Sequence, residues 1–174
     1  MATVTVTRVD RSLVAGDAPD VAPLLLGKLF AHGECVGRIV EVEAYTSTDP
    51  ASHSFRGRTE RNAAMFGPAG LLYCYLSYGI HWCANVVTGR VGDGQAVLLR
   101  AVELIDGVGL ARERRSGRVD RELANGPGKL CQAFGIDAGH DGTDLLSASS
   151  AVRILDDGTL PPTRPVVGPR IGIT

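Results

Sequence analysis

Surplus charge of either sign is missing from this chain: 18 lysines and arginines face 19 aspartates and glutamates, a formal net charge of −1. Without a global positive excess, a polyanionic partner has to meet a local basic patch. Long apolar runs are also lacking: none approaches the roughly 20 residues of a membrane-spanning helix, and the N-terminus has no signal-peptide apolar segment. The four cysteines, Cys35, Cys74, Cys83 and Cys131, form no C-x-x-C pair and no tight framework. They read as reduced thiols of a cytoplasmic protein, two of them in apolar strand-like runs where a thiol acts as a small hydrophobe. Neither G-x-x-x-x-G-K-[ST] nor G-x-G-x-x-G occurs, which removes support for the common nucleotide-binding folds.

Two short metal-like patterns are weaker than they look. "HGEC" (His32 to Cys35) matches the H-x-E opening of zinc deaminases, but no P-C-x-x-C element follows to complete the metal site. Its glycine and polar residues between two strand-like runs fit a turn. "HWC" (His81 to Cys83) offers two ligands where a structural zinc needs four, and fits a packed histidine and a buried cysteine on one strand.

What is present is enough for one globular domain over residues 1–174, with 44% hydrophobic and 21% charged residues. "DAPDVAPLLLGKLF" predicts a helix starting near Asp17 or Asp20. "CVGRIVEVEAY" reads as a strand with Val36, Ile39, Val40, Val42 and Ala44 turned inward and Glu41, Glu43 and Tyr45 sharing the other face. "TSTDPASHSFRGRTERN" is too polar and irregular for a strand, and loops this long tend to be functional. "LLYCY" and "HWCANVV" form a β-hairpin with Tyr78-Gly79 near its tip. "AVLLRAVEL" is a further strand, "GLARERRSGRVDREL" a basic helix-compatible stretch with a mobile middle, and "NGPGKLCQAFGI" a short helix entered through proline. "VRILDD" and "PRIGIT" predict late strands. The fold class is α+β: a curved, mostly antiparallel sheet with peripheral helices and a protruding hairpin.

Aromatic residues are only 5% of the chain, yet three of four tyrosines and the single tryptophan fall between Leu71 and Val87. Tyr73 and Tyr75, two apart, share a strand face. Tyr45 ends the acidic strand and His53 lies in the loop after it. Flat rings near a carboxylate suit a planar ligand, each stacking contact with a nucleobase being worth roughly 1–3 kcal/mol. Core packing accounts for the tyrosines equally well at this level. Arg100 interrupts an apolar strand, where a charge usually has a partner, and a carboxylate and an arginine each emerging from a central strand suggest a site.

Order and identity add more. "GRIVEVEAY", "DPASHSFRGRTERNAAMFGPAGLLYCYLSYGIHWCANVV", "AVLLRAVEL" and "GPGKLCQAFGI" together resemble the alkyladenine (3-methyladenine) DNA glycosylase family, from "APLLLGKLF" to "PRIGI". The resemblance implies a monofunctional, metal-free, cofactor-free monomer that removes alkylated or deaminated purines from double-stranded DNA in the cytoplasm. It implies that Glu43 deprotonates the attacking water and that Arg100 helps to hold it. Tyr45, His53 and Tyr75 would enclose the flipped base, Asn85 would clash with the exocyclic amine of guanine, and Tyr78 would wedge into the minor groove. Arg56, Arg58, Arg61 and Lys129 would contact phosphates. No lysine stands in the pocket motifs to form a Schiff base with the sugar, so no strand-cleaving step is expected. The chain departs from the pattern in its slightly negative charge and in stopping at "PRIGIT", where family members continue into a segment with aromatic and basic residues; a C-terminal segment is open to being absent. Two rival readings remain at this stage: a damage sensor that flips bases without excision, and a hydrolase of free nucleosides or RNA.

Overall fold

The computed structural model describes residues 5–170. Its chain opens with a two-residue strand β1 (Thr7–Arg8) and two helices, α1 (Arg11–Val14) and α2 (Ala18–Leu25). Asp10 caps α1 through its side chain, whereas Asp17, at the cap position of α2, does not cap. Gln95 does that work instead: its Oε1 accepts from the Ala18 amide at 2.9 Å and its Nε2 donates to Asp17 at 2.9 Å. Ala18, Val21 and Leu25 recur at helical spacing and form the buried stripe of α2.

Strands β2 (Leu29–His32) and β3 (Cys35–Tyr45) follow, joined by a tight turn at Gly33-Glu34, so "HGEC" is the turn its composition suggested. Then come β4 (Leu72–Ser77), β5 (His81–Thr88) and β6 (Gln95–Asp106), α3 (Val108–Arg114), α4 (Pro127–Phe134) and β7 (Val152–Asp156). The seven strands form one antiparallel sheet in the order β1-β7-β2-β3-β6-β5-β4, curled into a half-barrel. No helix among the described residues is long and apolar enough to cross a membrane.

Alternation sorts the side chains onto two faces. The main core lies under α2 and α4, where Phe30 and Phe134 meet with ring centroids 5.1 Å apart and Leu72, Cys74, Ala84 and Val97 point inward. Burying each such large side chain contributes about 1.5–3 kcal/mol. A smaller cluster of Met65, Tyr73, Val87 and Ala96 occupies the opposite face, with Tyr45 and Tyr75 packed against it. That second face carries the site.

Three expectations need correction. Val40 is half exposed rather than inward, because alternation turns it away from the side of its buried chain neighbour Ile39. His81 is exposed at the start of β5, so only Cys83 of "HWC" is buried. Pro169 and Arg170 of "PRIGIT" lie in no strand, and its last four residues fall outside the described residues. The short strand β1 had no period long enough to be read.

Candidate active site

β3 and β6 run side by side with Ile39 opposite Val102, Glu41 opposite Ala101, and Val42 opposite Leu99. Each strand therefore carries one extra residue at the same place, Val40 in β3 and Arg100 in β6. A bulge re-aims the side chain it contains. Here it sends Arg100 across to β3, where Nε donates to Glu41 Oε1 at 2.7 Å and Nη1 donates to Glu43 Oε2 at 2.8 Å. The Glu43 side chain is only 8% exposed, so it needs these partners. Its other oxygen, Oε1, accepts a short hydrogen bond from the Tyr45 hydroxyl. Burial works against the Arg100 charge, but the two glutamates more than offset it and hold the guanidinium above its ordinary pKa.

Tyr45 is shared between this polar cluster and a small cavity of about 30 Å³ lined by Tyr45, Ala51, His53, Met65, Tyr73, Tyr75 and Asn85. The carboxylate thus stands at the cavity's edge, one hydroxyl away. Tyr73 and Tyr75 lie 5.8 Å apart between centroids, and His53 meets Tyr75 edge-on at 4.2 Å. His53 Nδ1 is 2.9 Å from the Tyr73 hydroxyl. Burial raises the phenols of Tyr45 and Tyr75 and pushes Tyr73 up to about 12, so all three remain neutral donors. Desolvation, helped by the charge of Arg61, lowers His53 and favours a neutral imidazole. Asn85 is buried with its amide fixed by a 3.1 Å bond from Nδ2 to the Tyr73 carbonyl. Burial pushes the nearby Cys74 thiol up to about 12, which removes it as a nucleophile.

The loop that delivers His53 has no regular structure and is held by buried polar side chains. Asn62 Nδ2 donates to the carbonyls of His53 at 3.0 Å and Gly57 at 3.1 Å, while its Oδ1 accepts from the Thr59 amide at 2.6 Å. Ser52 and Ser54, both buried, bond to each other at 2.7 Å.

Tyr78 sits at the β4–β5 turn with φ 50° next to Gly79 at φ 67°, the left-handed pair of a type I′ turn. A non-glycine residue there costs about 1–2 kcal/mol. It is 87% exposed, and its neighbour Ile80 is exposed too. Cations stand on both sides of this tip. Arg56 and Arg58 are exposed in the loop, and Arg61 donates to the Leu76 carbonyl at 3.2 Å, two residues from Tyr78. Lys129, in the first turn of α4, donates to Asn125 Oδ1 at 2.9 Å, and the adjacent Gly128 packs against His81 of the hairpin.

Glu43, Arg100, Tyr45, His53, Tyr75 and Asn85 therefore converge on one face, while Tyr78 is exposed at the hairpin turn, Arg61 bonds to β4, Arg56 and Arg58 are exposed in the same loop, and Lys129 lies on α4 next to the glycine that meets His81. Several residues at the site had drawn no attention in the sequence: Met65 in the cavity wall, Asn62 behind the loop, Asp49, and Arg170, which reaches Asp49, Tyr45 and Glu43 from far along the chain. The "ERN" run containing Asn62 carried the only available hint, a polar residue just before an apolar stretch. Among the described residues no group of three or more His, Cys, Asp or Glu side chains is placed to hold a metal ion.

The chain is similar to known proteins over most of its length. Residues 12–174 match the family model described as methylpurine-DNA glycosylase. The chain is 51% identical over 159 residues to a protein of Burkholderia lata named "Putative 3-methyladenine DNA glycosylase", covering 90% of this chain and 77% of the relative. A protein of Burkholderia cenocepacia bearing the same name is 49% identical over 170 residues, covering 96% and 82%. One of Nocardia farcinica, again with that name, is 48% identical over 165 residues, covering 91% and 78%. The chain belongs to the methylpurine-DNA glycosylase family and is a hydrolase of the N-glycosidic bond in DNA.

Proposed function

We propose that this protein, acting as a monomer on cytoplasmic DNA, swings a damaged purine out of the duplex and hydrolyses its N-glycosidic bond with a water activated by Glu43. The substrates would be 3-methyladenine, 7-methylguanine, hypoxanthine and ethenoadenine, and the product an abasic site that opens base-excision repair. The single observation that carries the reading is the link from Glu43 through the Tyr45 hydroxyl to the aromatic cavity, with Arg100 on the other carboxylate oxygen.

A base inside a duplex cannot be reached by a buried carboxylate, so it has to leave the stack at a cost of a few kcal/mol, least for a damaged pair. Tyr78 filling the gap and stacking on Tyr45, His53 and Tyr75 offset that cost. The His53 ring, edge-on to Tyr75, shifts aside as the base enters, which its irregular loop permits. Asn85, its amide held by the Tyr73 carbonyl, opposes the exocyclic amine of guanine. Arg56, Arg58, Arg61 and Lys129 engage phosphates around the rim.

In the chemical step the water oxygen bonds to C1′ of the sugar. Its proton passes to Glu43, and the electron pair of the C1′–N bond departs with the purine. Positive charge builds on the sugar as that bond breaks, and the carboxylate stabilises it. Arg100 orients the carboxylate and the water. An alkylated, cationic purine leaves readily; a neutral one such as hypoxanthine leaves more slowly without protonation.

The test is incubation with duplex oligonucleotides carrying each of these lesions, followed by alkali to break the strand at abasic sites. Excision of at least one alkylated or deaminated purine is expected. Tight lesion binding without any strand breakage under single-turnover conditions would favour a damage sensor and overturn the reading.

A further inference from the structure

We propose that Arg170 is a positioning residue for excision: it fastens the end of β3 so that Glu43 and Tyr45 hold their working geometry. The inference rests on the role proposed for Glu43 above.

One guanidinium engages three consecutive residues of β3 and the loop beyond them. Arg170 Nη2 donates to the Ala44 carbonyl at 2.7 Å and forms a short ion pair with Asp49. Its Cζ lies 4.6 Å from the centroid of the Tyr45 ring, within cation–π range. Its Nε stands 3.6 Å from Glu43 Oε1, the same oxygen that accepts from the Tyr45 hydroxyl. Arg100 serves the other oxygen, so the two arginines divide the carboxylate between them. The Asp49 carboxyl is held below its usual range by the Arg170 hydrogen bond, consistent with a persistent pair.

Arg170 reaches the site on a segment with little else to hold it. Residues 157–170 form no helix or strand, and Val166 and Val167 are exposed. The segment is pinned at its start, where Arg38 bonds to Asp157 at 2.8 Å and to Thr159 Oγ1 at 2.9 Å. Its far end is tied down by the contacts of Arg170. Arg170 is absent from the cavity wall, and its strongest partners are Asp49, the Ala44 carbonyl and the Tyr45 ring rather than the space a base would fill. Its work is to keep the Tyr45 ring and the β3 terminus from shifting, which sets the direction of the Glu43 oxygens.

Misplacing reacting groups by about 1 Å costs on the order of 100-fold in rate. Arg170→Gln is therefore expected to slow single-turnover excision by about 10- to 100-fold, with lesion-duplex Kd changed by less than about threefold. A residue that merely touched DNA would do the reverse: Kd would rise, and the slope of log Kd against log salt would drop by about one. Asp49→Asn provides a second variant, since it loosens the same clamp and leaves Arg170 in place. If the pair acts as a unit, the double variant is no slower than Arg170→Gln alone.

Excision by the wild type within about twofold of Arg170→Gln, a loss confined to Kd and its salt slope, or additive losses in the double variant would each overturn the inference while leaving the glycosylase reading intact. Absence of excision by the wild type across the lesion panel would instead bring down the reading and the inference together.

Discussion

Replacing Glu43 by glutamine separates chemistry from architecture, because the site has room for the amide to be accommodated. Glu43 accepts from Arg100 on one oxygen and from the Tyr45 hydroxyl on the other. A glutamine can keep its carbonyl toward Arg100 and turn its NH2 toward Tyr45, whose hydroxyl accepts as well as donates. Arg100 also keeps its 2.7 Å bond to Glu41. What is lost is the carboxylate's charge, so each bond falls at most from about 1.5–3 kcal/mol to about 0.5–1.5 kcal/mol, and over the two bonds the fold should weaken by no more than about 2–3 kcal/mol. The rate should suffer far more. General-base catalysis alone is worth about 10²–10⁴-fold, and loss of the negative charge beside a cationic sugar adds to it, so a drop of at least about 10³ is expected, or about 4 kcal/mol of transition-state stabilisation. The assay is single-turnover excision from a lesion duplex with enzyme in excess, read as alkali-labile strand, alongside Kd from fluorescence anisotropy and a urea melt. Glu43→Gln should bind the lesion as the wild type does and barely cleave. A rate within about tenfold of wild type would refute the assignment of Glu43 as the base.

Tyr78→Gly removes a side chain from a left-handed position, a relief of about 1 kcal/mol roughly offset by glycine's larger unfolded-state entropy; stability in urea should move by less than about 1 kcal/mol. Lesion-duplex binding should nevertheless weaken by about 1–3 kcal/mol, the worth of a stacked ring, and unchanged Kd would remove Tyr78 from the DNA interface. Asn62→Ala strips partners from the His53 and Gly57 carbonyls and the Thr59 amide, so a loss of about 2–3 kcal/mol in urea unfolding is expected, with faster amide exchange across residues 53–62. His53 is harder to protonate in the folded protein than the usual value of about 6.5, so the unfolded chain takes up the proton first and stability declines as pH falls from about 6.5 toward the lowered folded value. The Tm difference between pH 7.5 and pH 5 should shrink in His53→Gln; an equal difference would show that the imidazole does not titrate in this way.

Much of the framework could be read from the residues because it depends on local pattern. The β4–β5 hairpin follows from two alternating runs around Tyr78-Gly79, and the shared face of Glu41 and Glu43 follows from strand period alone. Arg100 was visible as a charge that an apolar strand does not explain. The bulges were not visible, since neither Val40 nor Arg100 is the glycine or proline that would advertise an irregularity. Counting every apolar residue of the run as inward places Val40 beside its chain neighbour Ile39, which the alternation of a regular strand forbids; Ile39 is buried and Val40 is exposed. Asn62, Asp49 and Arg170 were hidden for another reason. They support the site by meeting residues brought near only by folding, 126 positions apart for Arg170 and Ala44, and no local period encodes such a meeting. The tip histidine, His81, failed in the simplest way: alternation beside a turn does not say which face is covered.

The two bulges matter because they cancel. Before them, Ile39 stands opposite Val102; after them, Val42 stands opposite Leu99, with the same offset between strands. A single bulge would have changed that offset, moving every later residue of one strand relative to its partner and exposing part of the core face. With one extra residue in each strand, the apolar alternation of β3 and β6 resumes and the defect stays local. The sheet thereby presents an arginine to two glutamates of its neighbour without disturbing Val97 or Leu99 in the core. A buried pair of this kind seldom adds net stability over an apolar replacement, because both charges lose their water. Its persistence in the middle of the longest strand pair is therefore better explained by what Glu43 does at the cavity's edge than by what it contributes to folding. An apolar exchange such as Glu43→Met with Arg100→Leu should leave the protein at least as resistant to urea and without excision activity, and a large loss of stability in that double variant would argue that the pair is structural after all.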